Sequence, residues 1–379
     1  MSKTITKENA RGIWLKSQGL TESAPFGKGS AATTKAIEHL GYVQIDTINV
    51  IERCHHHILY TRIPDYKRRD LHQAQSQDKT VFEYWTHALS YVPTQDFRFF
   101  IPDMKRRRLS PGPWLGKVKP QELQKVLRLI KKEGPISIRD ITDDVLVEKD
   151  HEWASRKPSK KALQLGFYSG RLVISERQGM LKKYELLERH FAWDKMPKPA
   201  TRAEVLEYEI QRSLRAQGLV TLDSICHLVP SKKPEIRKII EKKVKKGELI
   251  EIKVQDATRS EFWVAPEVLD EAVTVNEELV HILSPFDPLT IQRKRLHSLF
   301  DYEHRFEAYV PKEKRKYGYF ALPVLVGDKI VAAIDLKTDR EKQKMLIQKW
   351  TWLGKHKSAN NKKLIESELN RFEKFQLQK

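Results

Sequence analysis

The chain has 379 residues, of which 70 are Lys or Arg and 50 are Asp or Glu, giving a net charge of +20 and an isoelectric point near 9.6. A chain of this length is too long for one ordinary hydrophobic core, so we predict about two to four compact units. The basic excess favours a polyanionic partner, foremost nucleic acid, over an anionic membrane surface. Because no apolar run approaches the roughly 20 residues that cross a bilayer, and the first residues lack the apolar segment of a signal peptide, we expect an intracellular, cytoplasmic protein.

The chain has two cysteines, Cys54 and Cys226, and they lie far apart in sequence. Neither a disulfide framework nor a thiolate zinc cluster is available from this pair. We expect both to be buried, inert thiols.

The N-terminal segment predicts two helices followed by a short strand. Apolar spacing favours a helix over residues 5–19, ended by Gly19, and a second helix over residues 31–40, capped by Ser30 and ended by Gly41. Residues 42–51 then form an apolar run that also contains acid and amide side chains.

Residues 42–46 are the most informative part of this stretch. In an extended segment Val43 and Ile45 would point into the core, whereas Tyr42, Gln44 and Asp46 would share the other face. The simpler alternative is that Asp46 or its neighbour Thr47 caps a helix that begins two residues after Asp46.

Residues 119–192 predict a winged helix, a DNA-binding variant of the helix-turn-helix. The expected elements are three helices, Pro120–Lys132, a short one over Ile138–Ile141 and Lys160–Ser169, and two strands, Arg171–Glu176 and Lys182–Leu187. The hairpin between the strands carries a charge and a glycine at its tip, as a wing that touches the DNA backbone would.

The same order recurs over residues 202–266, which predicts an internal repeat. Residues 218–225 correspond in pattern to residues 134–141, and residues 246–252 correspond to residues 169–175. The first unit is open to interpretation as a third, more diverged copy.

From about residue 280 the pattern changes to strands, which predicts a small sheet or barrel. The expected strands are Val280–Leu283, Arg305–Val310, Phe320–Leu325 and Lys329–Asp335. Gly327-Asp328 would form a tight turn, and a helix over about residues 359–376 closes the chain. The predicted fold class is α+β, with tandem winged-helix domains followed by a small C-terminal β-barrel or sheet.

Several polar clusters invite a functional interpretation. Three consecutive residues cannot all face one metal ion from a helix, so His55-His56-His57 is interpreted as a solvated or DNA-facing run, and no metal or cofactor is predicted. Basic residues recur at corresponding places of the two repeats, where they suit phosphate contacts; the alternative is that each cluster is a solvated face. The predicted DNA-binding residues are Arg156, Lys157, Lys160, Lys161, Lys232, Lys233, Arg293, Lys294, Arg295, Lys314, Arg315 and Lys316.

Four segments together resemble the YcaQ/AlkZ-type DNA glycosylases over about residues 5–345. The matching segments are Val43–Asn49, Glu83–His87, Leu283–Leu289 and Lys316–Leu325. Members combine tandem winged helices with a C-terminal β-barrel; they excise N7-alkylated guanines, and some unhook interstrand crosslinks. The family motif of Gln, an apolar residue and Asp or Gln corresponds to Gln44-Ile45-Asp46.

The resemblance implies roles for individual residues. Asp46 would stabilise an oxocarbenium-like sugar and activate a water that Gln44 holds by its amide. Because no lysine stands out as a Schiff-base nucleophile, the reaction would be monofunctional and leave an abasic site. Asn49, Tyr84 and His87 are pocket candidates, with core packing as the alternative.

The sequence departs from the family pattern at two places. Many members carry Ala or Glu near the position of Leu89, and many have Trp-Asp-Arg where this chain has Ile291-Gln292-Arg293. Both departures lie outside the Gln-x-Asp motif, so they put the substrate range in doubt rather than the activity.

These patterns divide the chain into five parts and define its partner. The predicted parts are 1–116 with the Gln-x-Asp motif, winged helices over 117–195 and 196–275, a barrel over 276–352 and a helical tail over 353–379. The expected partner is double-stranded DNA containing alkylated guanine, bound by a monomer. One alternative is a non-enzymatic winged-helix regulator, although no dimerisation helix is evident; another is an RNA-binding accessory protein, for which no aromatic stacking motif is present.

Overall fold

The computed structural model is a mixed α+β protein and describes residues 3–142, 145–148, 155–257 and 260–378. The α-helices are α1 Lys7–Ser17, α2 Gly29–Leu40, α3 Cys54–Arg62, α4 Arg68–Ser76, α5 Phe97–Leu109, α6 Gly112–Leu115, α7 Pro120–Glu133, α8 Pro158–Tyr168, α9 Leu187–Phe191, α10 Arg202–Gln217, α11 Leu222–Ile225, α12 Lys233–Lys245, α13 Pro266–Asp270, α14 Arg293–Phe300 and α15 Ala359–Leu377. The strands are β1 Lys3–Ile5, β2 Val43–Gln44, β3 Val81–Trp85, β4 Leu89–Pro93, β5 Leu172–Gln178, β6 Leu181–Leu186, β7 Leu219–Val220, β8 Ile250–Val254, β9 Phe262–Val264, β10 Val280–Ile282, β11 Ala321–Val326, β12 Lys329–Asp339 and β13 Lys344–Trp352. None of the helices in these ranges is long and apolar enough to span a bilayer.

The chain divides into two compact units, each built from separated segments. The first unit takes the chain up to Lys67, the short segment His87–Leu89 and the chain from Glu209 onward. The second takes Arg68–Thr86 and Ser90–Tyr208. The five-part division stays a prediction.

The helices at the N-terminus form where the apolar spacing predicts them, with different starts. Helix α1 begins after Thr6, whose side chain accepts a hydrogen bond from the Asn9 amide at 3.1 Å, and it buries Trp14 completely. Helix α2 has Lys28 at its N-cap without a side-chain cap, so the prediction that Ser30 caps it is wrong. Gly41 ends α2 in the left-handed conformation, with φ of 77°.

The second unit contains the predicted helix, helix and hairpin of residues 119–192. Helices α7 and α8 are followed by the antiparallel pair β5 and β6, and Gly179 turns between the strands with φ of 61°. The prediction of a short helix over Ile138–Ile141 is wrong, because that segment forms a turn. Just before it in the chain, Ile136 pairs with Tyr184 in an isolated β-bridge. The tip residue Arg177 is not a free cation: its guanidinium pairs with buried Glu83 at 2.5 and 2.6 Å.

The corresponding order recurs beyond α10, as the sequence repeat predicts. Helices α11 and α12 lead into the antiparallel strands β8 and β9, and β7 pairs with β9. The Thr221 and Ser224 side chains each accept the other's backbone amide in a capping box that starts α11. Strand β1 lies parallel to β8 and completes a four-stranded sheet.

The C-terminal strands form an open antiparallel sheet and not a closed barrel. Its order is β10-β11-β12-β13, so the first and last strands are not paired with each other. The strand predicted over Arg305–Val310 is wrong: the carboxylate of Glu307 accepts the amides of Lys316, Tyr317 and Gly318 at 2.7 to 3.2 Å, and this side-chain contact holds the segment in place of a strand ladder. Helix α15 packs against β10 and β13.

Candidate active site

The segment after α2 places Gln44 at the end of a short strand. Ile45 donates its amide to the Leu89 carbonyl at 2.8 Å, and Val43 and Ile45 are buried, as the alternation predicts. Gln44 is also buried, whereas Asp46 is half-buried. Helix α3 begins at Cys54 rather than two residues after Asp46, so the helix-cap alternative is wrong.

His87 orients the side chain of Gln44. The imidazole Nε2 lies 3.1 Å from Gln44 Oε1. Burial, with the nearby charges of His227 and Arg212, lowers the pKa of His87 to about 3, so the ring is neutral at pH 7. Because an amide oxygen can only accept a hydrogen bond, the proton of the neutral ring lies on Nε2 and Nε2–H donates to Gln44 Oε1. The carboxamide nitrogen of Gln44 therefore keeps its two donors for another acceptor.

A small aromatic cluster keeps His87 in this neutral state. The rings of Tyr42 and His227 each lie 5.0 Å from the His87 ring, in edge-on geometry. The Arg212 guanidinium lies over Tyr42 at 5.6 Å, and a Cβ on Gly41 would overlap the Arg212 side chain. Sequence reasoning missed Arg212 and His227, because no spacing along the chain indicates that they meet Tyr42 and His87.

The Asp46 carboxylate is positioned through one of its oxygens. Oδ1 accepts the Ile48 amide at 2.8 Å and closes a tight turn. Within the described residues Oδ2 has no hydrogen bond. Asp46 thus combines a fixed orientation with half-burial, and its Oδ2 is available to accept a hydrogen bond.

The other two pocket candidates have structural partners. Asn49 accepts a hydrogen bond from Arg340 through its Oδ1 at 2.9 Å and through its carbonyl at 3.1 Å, which ties the segment to the end of β12. Tyr84 belongs to the second unit, where its buried hydroxyl lies 2.8 Å from the Tyr168 carbonyl and 3.2 Å from the Asp103 carboxylate. Their place in the pocket stays a prediction.

The cations of the second unit that were predicted to bind DNA lie at the start of α8. Arg156 and Lys160 are exposed. Lys157 donates to the Ile141 carbonyl at 2.8 Å, and the Lys161 ammonium lies 5.9 Å from the Trp114 ring.

The corresponding cations of the first unit differ in their exposure. Those already paired with carboxylates are Lys232 with Glu209, Lys233 and Lys294 with Asp223, and Lys316 with Glu303. Arg315 donates to a carbonyl at 2.7 Å, whereas Arg293 and Lys314 are exposed.

Arg295 has to be removed from the predicted DNA-binding set. Its side chain is 5% exposed, its guanidinium lies 4.0 Å over Trp14, and it donates to Gln217 at 2.7 Å. Burial lowers the pKa of Arg295 to about 9. On a helix one of three consecutive residues can face inward, and here the inward one is Arg295.

The prediction that His55-His56-His57 is a solvated or DNA-facing run is wrong. His55 and His57 are buried on α3, and His57 Nε2–H donates to the Ile282 carbonyl at 2.7 Å. Burial lowers the pKa of His57 to about 4. In the described part of the chain no group of three or more His, Cys, Asp or Glu side chains is arranged to hold a metal ion. Both cysteines are free and buried, as expected.

Comparison with known proteins decides the family. The family model described as DNA glycosylase AlkZ-like matches residues 37–375. The chain belongs to this family of AlkZ-like DNA glycosylases. Among solved structures it is similar to the Streptomyces sahachiroi DNA glycosylase AlkZ, with a TM-score of 0.60 over 98% of this chain and 97% of that one. At 16% identity this likeness shows that the fold is AlkZ-like.

Proposed function

We propose that this AlkZ-like protein is a monofunctional DNA glycosylase that hydrolyses the N-glycosidic bond of N7-alkylguanine in duplex DNA. The observation that carries the proposal is the pairing of Gln44, whose amide is turned by neutral His87, with Asp46, which has one carboxylate oxygen without a hydrogen bond in the described residues. An amide donor and a carboxylate two residues apart can bind a single water molecule, with the amide donating to it and the carboxylate accepting from it.

The chemistry needs little more than this pair. Alkylation at N7 makes guanine a cationic leaving group, so the C1′–N9 bond breaks with its electron pair moving to N9 and no strong acid is required. The sugar becomes oxocarbenium-like, and a carboxylate stabilises such a cation. Water held by the Gln44 amide then adds at C1′ and gives its proton to Asp46, which leaves an abasic site.

The proposed approach of DNA uses the two helix-and-hairpin repeats as winged helices. In such a domain one helix enters the major groove while backbone phosphates meet cations near its start. Exposed Arg156 and Lys160 before and within α8 support this role in the second unit. In the first unit we retain Arg293 and Lys314 as phosphate contacts, since both are exposed.

A glycosylase assay on a defined lesion tests the proposal. A duplex with one N7-methylguanine is incubated with the wild type or with Asp46→Asn, and abasic sites are then cleaved with alkali. The side-chain oxygen of the introduced asparagine can still accept a hydrogen bond from the Ile48 backbone N–H, so the turn is kept. The negative charge and the proton acceptor are lost. We expect the single-turnover rate to fall roughly 100-fold or more.

The matched control is Asp270→Asn, because Asp270 is exposed at the end of α13 and far in sequence from the Gln-x-Asp motif. It should excise at the wild-type rate. Equal product from Asp46→Asn and wild type would refute the role of Asp46, and no product from the wild type would favour the non-enzymatic regulator. A crosslinked duplex in parallel tests the extension to crosslink unhooking.

A further inference from the structure

The turn that follows α11 carries an apolar side chain in a backbone conformation that such residues avoid. Val229 donates its amide to the Cys226 carbonyl at 2.8 Å and closes the turn, which has His227 and Leu228 as its two central residues. Leu228 has φ of 59°. A turn position with positive φ normally holds Gly or Asn, because a bulky side chain is strained there.

Leu228 differs from the other residues with positive φ. In the described part of the chain six non-glycine residues have positive φ, and the other five are small or polar: Lys79, Ala192, Asp256, Asp301 and Gln343. Leu228 alone combines a large apolar side chain with this conformation, and it is 72% exposed. Neither the strain nor the exposed apolar surface stabilises the folded protein, so folding does not explain a leucine at this position.

This turn lies beside the proposed active site. His227, the residue before Leu228, has its ring 5.0 Å from the His87 ring. His87 Nε2 in turn lies 3.1 Å from Gln44 Oε1. Burial and the charge of Arg293 lower the pKa of His227, so an exposed cation lies near the same turn. An exposed apolar side chain and an exposed cation therefore accompany the amide that would hold the attacking water.

Access to the glycosidic bond would give such a side chain a use. In a duplex the C1′–N9 bond of guanine is flanked by stacked base pairs, and enzymes that act on a base bear the cost of unstacking it. Apolar side chains, leucine among them, insert between base steps and hold them apart. A leucine that is already exposed on a short closed turn can insert without first being uncovered.

We propose that Leu228 is a wedge that inserts into the base stack beside the alkylated guanine and holds that step open for the water bound by Gln44 and Asp46. The identity of the ligand as lesion-containing DNA rests on the proposed function. Burial of one leucine side chain between bases favours the inserted state about tenfold to a hundredfold. The strained leucine is then kept for insertion and not for folding.

Fluorescence of 2-aminopurine next to the lesion tests the wedge without bond cleavage. The duplex carries one N7-methylguanine on a 2′-fluoroarabinose sugar, whose fluorine disfavours the oxocarbenium-like state and blocks excision. The lesion fixes the position of the protein on this duplex. Emission of 2-aminopurine rises when the base is unstacked, so saturating wild type should raise it. Leu228→Asn should lose most of that rise.

Leu228→Asn is the matched variant, because asparagine has the branching of leucine and tolerates positive φ but is polar. Leu228→Met keeps an apolar side chain and should keep the emission rise. On a natural N7-methylguanine duplex, Leu228→Asn should excise about tenfold more slowly. This deficit should shrink when the base opposite the lesion is absent, since the stack is then already weakened. A merely structural role of Leu228 would not depend on the opposite base.

The control is Leu109→Asn, the same change at an 87% exposed leucine at the end of α5, and it should behave as the wild type does. The wedge is overturned if the wild type gives no emission rise, if Leu228→Asn gives the full rise, or if Leu109→Asn shows the same deficit. A rise that depends on Leu228 without excision of the natural lesion would refute the glycosylase and keep the wedge. Excision by Leu228→Asn at the wild-type rate would refute the wedge and keep the glycosylase.

Discussion

At the scale of single residues, the hydrogen bond from His87 determines which atoms Gln44 offers. A carboxamide presents an oxygen acceptor on one side and two N–H donors on the other, and either end can face a substrate. Because His87 Nε2–H occupies the oxygen, the donors are directed elsewhere. A missing imidazole would leave this orientation undefined, and a neutral ring with its proton on Nδ1 instead of Nε2 would reverse it.

We predict that His87→Phe lowers the excision rate more than it weakens DNA binding. The variant keeps a ring beside Tyr42 and His227 but cannot hold the Gln44 amide, and misplacing a reacting group costs roughly tenfold to a hundredfold in rate. Single-turnover rates and dissociation constants measured on the same lesion duplex separate the two effects. His87→Gln, which retains an N–H donor, should recover part of the rate; an equal loss in both variants would contradict positioning by a hydrogen bond.

Leu228 is a strained residue beside this cluster. It has φ of 59°, a left-handed conformation that costs a branched L-residue about 1–2 kcal/mol, and it is 72% exposed, so little packing offsets the strain. We predict that Leu228→Gly raises the free energy of unfolding by about 0.5–1 kcal/mol, after the added freedom of the unfolded chain is subtracted. Urea denaturation of the variant measures the change, with Leu228→Ala as the control that keeps the strain. A loss of stability in the glycine variant would show that the side chain packs more than its exposure indicates.

At the scale of elements, helix α3 is joined to the loop after β10 by a buried ion pair. Arg62 at the end of α3 donates to both Asp287 oxygens at 2.7 and 3.0 Å, and both side chains are fully buried. Asp287 Oδ1 also accepts the Leu289 amide at 2.9 Å. The Asp of the Leu283–Leu289 segment is therefore a structural residue that joins this segment to α3.

We predict that Asp287→Ala destabilises the protein by about 3–5 kcal/mol, because it leaves the buried Arg62 charge without a partner. The exposed pair Lys28 and Asp65 provides the comparison: Asp65→Ala should leave the stability nearly unchanged, because solvent screens an exposed ion pair. Urea unfolding measures both. Similar losses in the two variants would mean that burial does not govern the contribution of the Arg62 pair.

At the scale of the whole molecule, buried histidines couple stability to pH. Burial lowers their pKa values to about 3 or 4, and they are His57, His87, His190, His281 and His304. An unfolded histidine titrates near 6.5, so between the two values the unfolded chain binds more protons than the folded chain. The contribution of these buried histidines to stability is therefore complete above about pH 6.5. It is lost as the pH falls through their folded-state pKa values of about 3 or 4.

We predict that the midpoint of urea unfolding falls when the pH is lowered from 7 to 5. Over this range most carboxylates stay ionised, so the change reports mainly on the histidines. Unfolding curves at half-unit pH steps measure it, and the free energy should decrease at each step downward. A constant or rising midpoint would contradict burial of these rings in the neutral form.

The sequence predicts the regular elements better than the active site. Apolar periodicity locates α7, α8 and α15 to within a few residues, because each has one buried stripe. It misses β13, whose residues apart from Met345 are exposed or half-buried without a regular alternation. The site depends on contacts between distant segments, and these contacts explain why Arg212 and His227 were missed and why the inward-facing Arg295 was mistaken for a phosphate ligand.

The division of the chain has a consequence for dissecting the protein. His87–Leu89 belongs to the first unit, yet the residues on both sides of it belong to the second, so the polypeptide passes from one unit to the other four times. Removing residues 68–208 as a separate module would also delete the imidazole that contacts Gln44 and the carbonyl that pairs with Ile45. Truncation therefore cannot assign DNA binding to one unit and catalysis to the other, and a cut between Thr86 and His87 would free one end of the segment that carries this imidazole.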